Sequence, residues 1–360
     1  MRTITDLHIH SRFSRACSPD LTVPNLARWA RRKGIDLLGT GDFTHPDWLA
    51  ELERDLFEVA PGTYEHSAEH GTRFVLSSEV ACIYKRGGKV RRVHLVLLAP
   101  DFAAVHKIRA ALEKLGKNLK ADGRPILGMD SVDLLHLIQD ADSRCLLIPA
   151  HVWTPWFAIF GSESGFDSIS ECFGDDTKHI HAIETGLSSD PAMNWRLSQL
   201  DDLLILSHSD AHSLRNLGRE ADVFDLEERT YGALHAAIVG RDKDRLLETI
   251  EFFPEEGKYH LDGHRLCSVR WTPKETIRHK GACSVCGKQV TVGVLARVEA
   301  LADRPEGEKP KDAVPFRSIV PLEQVIGEAL GVGPASKKVQ QVYMHLTDRV
   351  GSEFAVLLDI

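Results

Sequence analysis

From the N-terminus to about residue 250, short runs of consecutive apolar residues alternate with stretches whose apolar positions recur every three or four residues. RTITDLHI, IDLLGTG, RFVLSS, RVHLVLLAP, CLLIPA, HAIETG and LLILS predict strands. PNLARWARRKG, HPDWLAELERDLFEV, DFAAVHKIRAALEKLG, SVDLLHLIQDA and MNWRLSQLDD predict helices. Strands that are apolar on both faces, each followed by a helix, predict an α/β protein with a parallel sheet under helices. Gly34 and Gly116 stand where a C-terminal glycine ends a helix.

Beyond Glu251 the pattern stops. Residues 251–304 carry a cysteine pair and no long alternation, and PEGEKPKDAVP reads as a linker. PLEQVIGEALGVGPASKKVQQVYMHLTDRV has helical spacing broken at GVGP, which predicts two helices joined by a turn. The expected organisation is a catalytic unit at 1–250, a small unit at 251–304, and a linker with a helical unit at 305–360.

Composition adds bounds rather than identity. The 360 residues are 43% hydrophobic and 27% charged, enough for a sizeable core. A net charge of −8 does not point to nucleic acid, but clustering of Lys and Arg matters more than the total. No run approaches a membrane span of roughly 20 residues and no basic-then-apolar leader opens the chain, so a cytoplasmic protein with no membrane partner is expected. Cys17, Cys82, Cys145 and Cys172 are scattered, whereas Cys267, Cys283 and Cys286 cluster, which argues for reduced thiols and one metal site.

The chemistry gathers at strand ends: His8 and His10, Asp42 with His45, Glu79, His151, Glu184, then His208, Asp210 and His212. Residues at i and i+2 of a strand share a face, so His8 with His10, and Asp210 with His212, can each grip one ion. His94 opens its run and joins them only if KRGGK folds that run back antiparallel beside Glu79. His208 sits nearer the strand body, in a hydrogen-bonding position, and Asp20 is a further candidate ligand. Imidazole and carboxylate without thiolate suit Zn²⁺, Mn²⁺ or Fe²⁺, with donors enough for two or three divalent ions and Mg²⁺ a further occupant to test. Such centres mostly hydrolyse phosphate esters. Asp210 is the expected bridge between ion and water, with His212 beside it as the second catalytic group.

A second donor set, His264-x2-Cys267-x15-Cys283-x2-Cys286, has zinc-ribbon spacing, with His260 as an alternative to His264. Arg270, Lys280 and Lys288 lie around it, and Arg86, Arg91 and Arg92 crowd the YKRGGKVRR hairpin; both groups are candidate DNA contacts. The loop HVWTPWFAIFGSESGFDS carries Trp153, Trp156, Phe157 and Phe160, which either pack the loop or receive a base flipped from a duplex. ALGVGPASKKV has the look of a helix-hairpin-helix turn.

DLHIHS, GTGDFTHP, SSEV, PAHVWTPWFA and SHSDAHS, in this order, resemble the polymerase and histidinol phosphatase (PHP) family of metal-dependent phosphoesterases. Together with FGSESGFDSISECFGDD, YHLDGHRLCSVRW and CSVCGKQVTVGVLARVEALADR they resemble its endonuclease Q family over nearly the whole chain. The resemblance implies a distorted (β/α)7 barrel holding catalytic metals, a small zinc-binding domain and a helical C-terminal domain. It also implies cleavage on the 5′ side of deaminated bases (uracil, hypoxanthine, xanthine) or of abasic sites, with damaged DNA as partner. The PHP pattern usually has Asp-His in its second motif; here Phe43 follows Asp42, so Asp42 or His45 takes that ligand's place. The end at FAVLLDI is short for the family, which implies an incomplete C-terminal domain. Two other readings stand: a phosphatase of small phosphomonoesters on the same centre, and a non-catalytic zinc-containing DNA-binding protein.

Overall fold

The structure, a computed structural model, describes residues 1–358; the last two residues of the expected C-terminal unit, 359 and 360, lie outside it. The chain runs β1 (Arg2–Asp6), α1 (Val23–Lys33), β2 (Leu37–Gly39), α2 (Pro46–Asp55), β3 (Leu56–Ala60), β4 (Thr63–His66), β5 (Arg73–Arg86) and β6 (Lys89–Ala99). Next come α3 (Phe102–Lys114), α4 (Ser131–Ala141), β7 (Leu146–Pro149), α5 (Ile169–Phe173), β8 (Ala182–Glu184), α6 (Pro191–Asn194), β9 (Leu204–Leu206), β10 (Ala221–Asp225), α7 (Tyr231–Val239) and β11 (Leu246–Glu251). The remainder holds β12 (Asp262–His264), β13 (Val269–Trp271), α8 (Pro273–Arg278), α9 (Val294–Leu301), β14 (Phe316–Ser318), α10 (Leu322–Leu330), α11 (Lys337–Val350) and α12 (Glu353–Leu358).

Helix ends follow local chemistry. Pro24 opens α1, and Gly34 closes it at φ 91. Asp101 and Asp130 cap α3 and α4 by accepting from Ala104 N and Val132 N. Helix α2 stops at Asp55, four residues short of the stretch read as helical, because Leu56–Ala60 pairs as a strand with β4. MNWRLSQLDD is only partly helical: α6 ends at Asn194 and a 3₁₀ turn follows at Ser198–Leu200.

β1, β2 and β5 pair in parallel. Gly87 and Gly88, at φ 60 and 75, turn the chain back, so β6 runs antiparallel to β5 and β7 antiparallel to β6. β8 and β9 are parallel. The β7/β8 seam is tied by Val152 N donating to Glu184 O, and the β9/β1 seam by His10 N donating to Ala211 O. The result is a distorted ring of seven strands with mixed polarity, not the wholly parallel sheet that the alternation predicted. β10 and β11 extend antiparallel beyond β1, and β14 joins β11. The segment read as a linker is thus followed by a strand that returns to the barrel's sheet.

Strand alternation fills two cores. Leu37, Val75, Val96, Ile148, Ala182 and Leu204 form one cluster with Leu234 and Ile238 of α7, while Leu38, Leu76, Leu97, Leu147 and Ile183 belong to the other. Each fully buried Val, Leu or Ile among them contributes roughly 1.5–3 kcal/mol. The C-terminal helices dock on α1, where Lys33 Nζ meets Glu353 Oε2 at 2.6 Å and Tyr343 stacks 6.2 Å from Trp29. No described helix is long and apolar enough to cross a membrane.

Candidate metal centre and cleft

β1 runs on into His8 and His10, both buried. Each uses Nδ1 on a carboxylate: His8 on Glu184 Oε2 at 2.9 Å, His10 on Asp42 Oδ1 at 3.0 Å. That fixes both Nε2 atoms toward one point. His10 Nε2 lies 3.0 Å from Asp210 Oδ1 and 3.3 Å from Glu79 Oε2; His8 Nε2 lies 3.6 Å from Glu79 Oε2 and is a buried atom with no hydrogen bond. On the other side of Glu79, Oε1 lies 2.6 Å from His94 Nδ1 and 3.1 Å from His151 Nε2. Two donor groups result, His8–His10–Glu79–Asp210 and Glu79–His94–His151, each with ligand atoms within 4.8 Å of one another. The orphaned His8 Nε2 and an all-imidazole and carboxylate donor set fit divalent cations.

His94 reaches the site because the Gly87–Gly88 turn sets it opposite Ala81, beside Glu79, as the sequence required of an antiparallel hairpin. His151 and Asp210 hold φ of 28 and 45, values rare for non-glycine residues. Gly186 makes room for the first: a Cβ there would lie 2.4 Å from His151 Cβ.

Electrostatics follow from this crowding. Burial alone would lower the pKa of His8 and His10, but Glu184 and Glu79 around the first and Asp42 and Asp210 around the second raise both well above the ordinary value. Burial would raise Glu79 and Asp210, yet His94, Arg124 and His8 pull Glu79 well down, and His10 and His8 pull Asp210 down. Burial brings His94 to about 4. Divalent cations bound at these atoms would take the place of the protons.

The remaining predicted residues separate. Asp42 stands outside both donor groups and orients His10: it accepts from Ser11 N, Ser11 Oγ and Ser14 Oγ at 2.7, 2.7 and 2.8 Å. His45 caps α2 by accepting from Trp48 N and stacks on Phe13, also outside them. Glu184 binds His8, His208 and His151 N rather than joining a donor group, and His208 links it to Asp222. Asp20 is exposed and bonded to Ser18. His212 stands apart from the donor groups, with Nδ1 2.8 Å from Asp210 O.

His94, His151, Asp210 and His212 open into a cleft of about 850 Å³, whose wall includes Arg124, Trp156, Phe157, Arg219, Lys258 and Tyr259. A neighbouring groove of about 680 Å³ shares Trp156, Lys258 and Tyr259 and continues to Arg265 and Arg270. Trp153 and Phe160 are instead buried in the loop core, with rings 4.8 Å apart and Trp153 Nε1 donating to Asn194. Arg86 and Arg91 are spent inside the protein, on Asp130 and Cys172 O and on Gly165 O and the Phe166 ring; Arg92 lies 6.0 Å from the Phe157 ring. Lys280 and Lys288 are exposed.

His264, Cys267, Cys283 and Cys286 converge within 4.8 Å, whereas His260 faces Ser188 O at 3.3 Å, between the small unit and the barrel. Burial raises the Cys283 thiol, but backbone donors at Cys286 and Val285 bring it to about 7, near a thiolate suited to Zn²⁺. Sequence reasoning missed Arg124, whose Nη1 sits 3.1 Å from Glu79 Oε2, and Ser11 and Ser14. Arg124 lies in an irregular loop where no periodicity marks it; the serines stood beside His10 in the quoted motif.

Residues 321–360 match the family model of the MJ0043 C-terminal domain. The chain is 30% identical over 339 residues to the uncharacterised protein YqxK of Bacillus subtilis, spanning 92% of this chain and 80% of that one. To the uncharacterised protein MJ0043 of Methanocaldococcus jannaschii it is 32% identical over 214 residues, 58% of this chain and 26% of the other. The crystal structure of the lesion-specific endonuclease PfuEndoQ from Pyrococcus furiosus superposes at TM-score 0.87 with 33% identity, covering 100% of this chain and 86% of that chain. A structure of endonuclease Q with a 27-mer duplex substrate bearing an abasic lesion at the active site matches at TM-score 0.88 and 33% identity, covering 100% and 87%.

Proposed function

The chain belongs to the endonuclease Q family, and from that premise we propose a metal-dependent repair endonuclease that cuts on the 5′ side of uracil, hypoxanthine, xanthine or an abasic site in DNA. The observation that carries this reading is the pair of donor groups sharing Glu79 at the mouth of an open, cation-lined cleft. His8, His10, Glu79 and Asp210 would hold one ion and Glu79, His94 and His151 another. Bound there, divalent ions would polarise a phosphodiester and lower the pKa of a water. Asp210, partly open to the cleft, would orient the attacking water, and His212, 3.5 Å from its Oδ1, would move a proton. Lys258, Arg265 and Arg270 along the adjoining groove, with Lys280 and Lys288 beyond, supply phosphate contacts. Trp156, on the wall of both cavities, is the aromatic positioned to meet an extruded base, a role the buried Trp153 and Phe160 cannot share. Free cysteines throughout fit the reduced setting of the cytoplasm.

The test uses labelled duplexes bearing uracil, hypoxanthine, xanthine or an abasic site, with Mg²⁺ or Mn²⁺. A single nick 5′ of the lesion is expected, abolished by Asp210→Asn with DNA binding largely retained. Turnover of a generic phosphomonoester without any nicking would replace this reading with that of a phosphatase.

A further inference from the structure

We propose that Arg124 grips a non-bridging oxygen of the scissile phosphate and shares its charge in the transition state. The inference rests on the endonuclease reading above. Arg124 presents a cation directly to the donor groups: Nη1 is 3.1 Å from Glu79 Oε2, on the wall that also carries His94, His151, Asp210 and His212. Its Nε and Nη2 make no hydrogen bond to the described residues, and its side chain is 25% exposed. Arg219, on the same wall, is by contrast engaged with the carbonyls of Ser209 and Asp210, and Lys258 lies over the Tyr259 ring.

The loop that delivers Arg124 is held on both sides. Gly123 N donates to Phe13 O, while Ala81 N donates to Pro125 O and Leu127 N to Ala81 O, stitching the loop to β5 two residues from Glu79. Gly123 itself lies so close that a Cβ there would be 2.3 Å from Asp42 Oδ2. A loop held by three backbone bonds brings to this opening a guanidinium with two unspent donor nitrogens, the geometry to bind an equatorial oxygen of the phosphoryl transition state.

The full metal-loaded chain and its Arg124→Gln, Arg124→Lys and Arg124→Ala variants decide the matter on lesion duplex and on bis(4-nitrophenyl) phosphate. Turnover should fall about 10²-fold in the Gln and Ala variants while bound metal per chain changes little. Free guanidinium ion should partly restore Arg124→Ala, and sodium chloride of equal ionic strength should not. A duplex with a methylphosphonate at the scissile position should bind the wild type and Arg124→Gln alike, whereas the ordinary phosphate should favour the wild type. Unchanged turnover, or a loss that tracks metal content and resists rescue, would reduce Arg124 to a counter-ion of Glu79. If the wild type nicks no lesion duplex, the endonuclease reading falls, and the aryl phosphodiester still decides the role of Arg124.

Discussion

At the scale of single residues, three imidazoles of the donor groups have their other nitrogen fixed by a partner: His8 by Glu184, His10 by Asp42 and His151 by Thr154. Asp42 does this for His10 through Oδ1, while its Oδ2 accepts from Ser11 and Ser14. Asp42→Asn should therefore weaken Mn²⁺ binding about 10- to 100-fold with the fold intact, which a competition titration against a chelating dye and circular dichroism would check. Glu251 makes a separate prediction. Burial pushes its carboxyl up from 4.5 to about 8, with Thr249 and Thr185 donors pulling the other way. The folded chain thus holds it neutral, so its contribution to stability is complete below the unfolded value of 4.5 and is lost as pH rises through about 8. Melting temperature should decline across that window, and Glu251→Gln should flatten the decline. The His8/His10 pair was legible because i, i+2 spacing at the end of an apolar run needs no tertiary knowledge; the Asp210/His212 pair read in the same way divides, since only Asp210 joins a donor group. Arg124 was not, since only folding brings position 124 to Glu79, and Asp42 could be told from a ligand only once Ser11 and Ser14 were seen on its oxygens.

Between residues and the whole lies the packing of one element on another. The side chains of Lys33 and Glu353 are 3% and 5% exposed, and Tyr343 Oη and Leu322 N both donate to the same carboxylate. Removing one partner strands a charge, so Lys33→Met should cost about 3–5 kcal/mol in chemical denaturation, far more than an exposed pair would. The C-terminal ends of α1 and α3 were readable because Gly34 and Gly116 act on their immediate neighbours. The β3/β4 hairpin was not: Leu56–Ala60 continues a helical pattern in sequence, and only its partners in Thr63–His66 make it a strand. The antiparallel returns at β7 and β10 were hidden for the same reason, since an apolar run carries no sign of its direction, whereas the paired glycines Gly87 and Gly88 marked the return of β6.

Across the molecule, the order of a strand-and-helix part, a cysteine-bearing part and terminal helices was expected from periodicity and cysteine spacing, whereas the strand β14 that rejoins the barrel's sheet was not. The four-donor cluster at His264, Cys267, Cys283 and Cys286 sits apart from Glu79, which predicts separable effects of metal loss. Cys283→Ser should leave the main melting transition of the barrel in place and weaken DNA binding at least tenfold, measured by fluorescence anisotropy at fixed salt. Glu79, by contrast, gives one oxygen to each of its two neighbouring groups. A carboxylate split in that way would link two equilibria: were both groups to take an ion, the first would stiffen the side chain and settle its torsions for the second. Occupancy of the pair should accordingly climb more steeply than two independent sites allow, and Glu79→Gln should erase the steepness before it erases the first binding event.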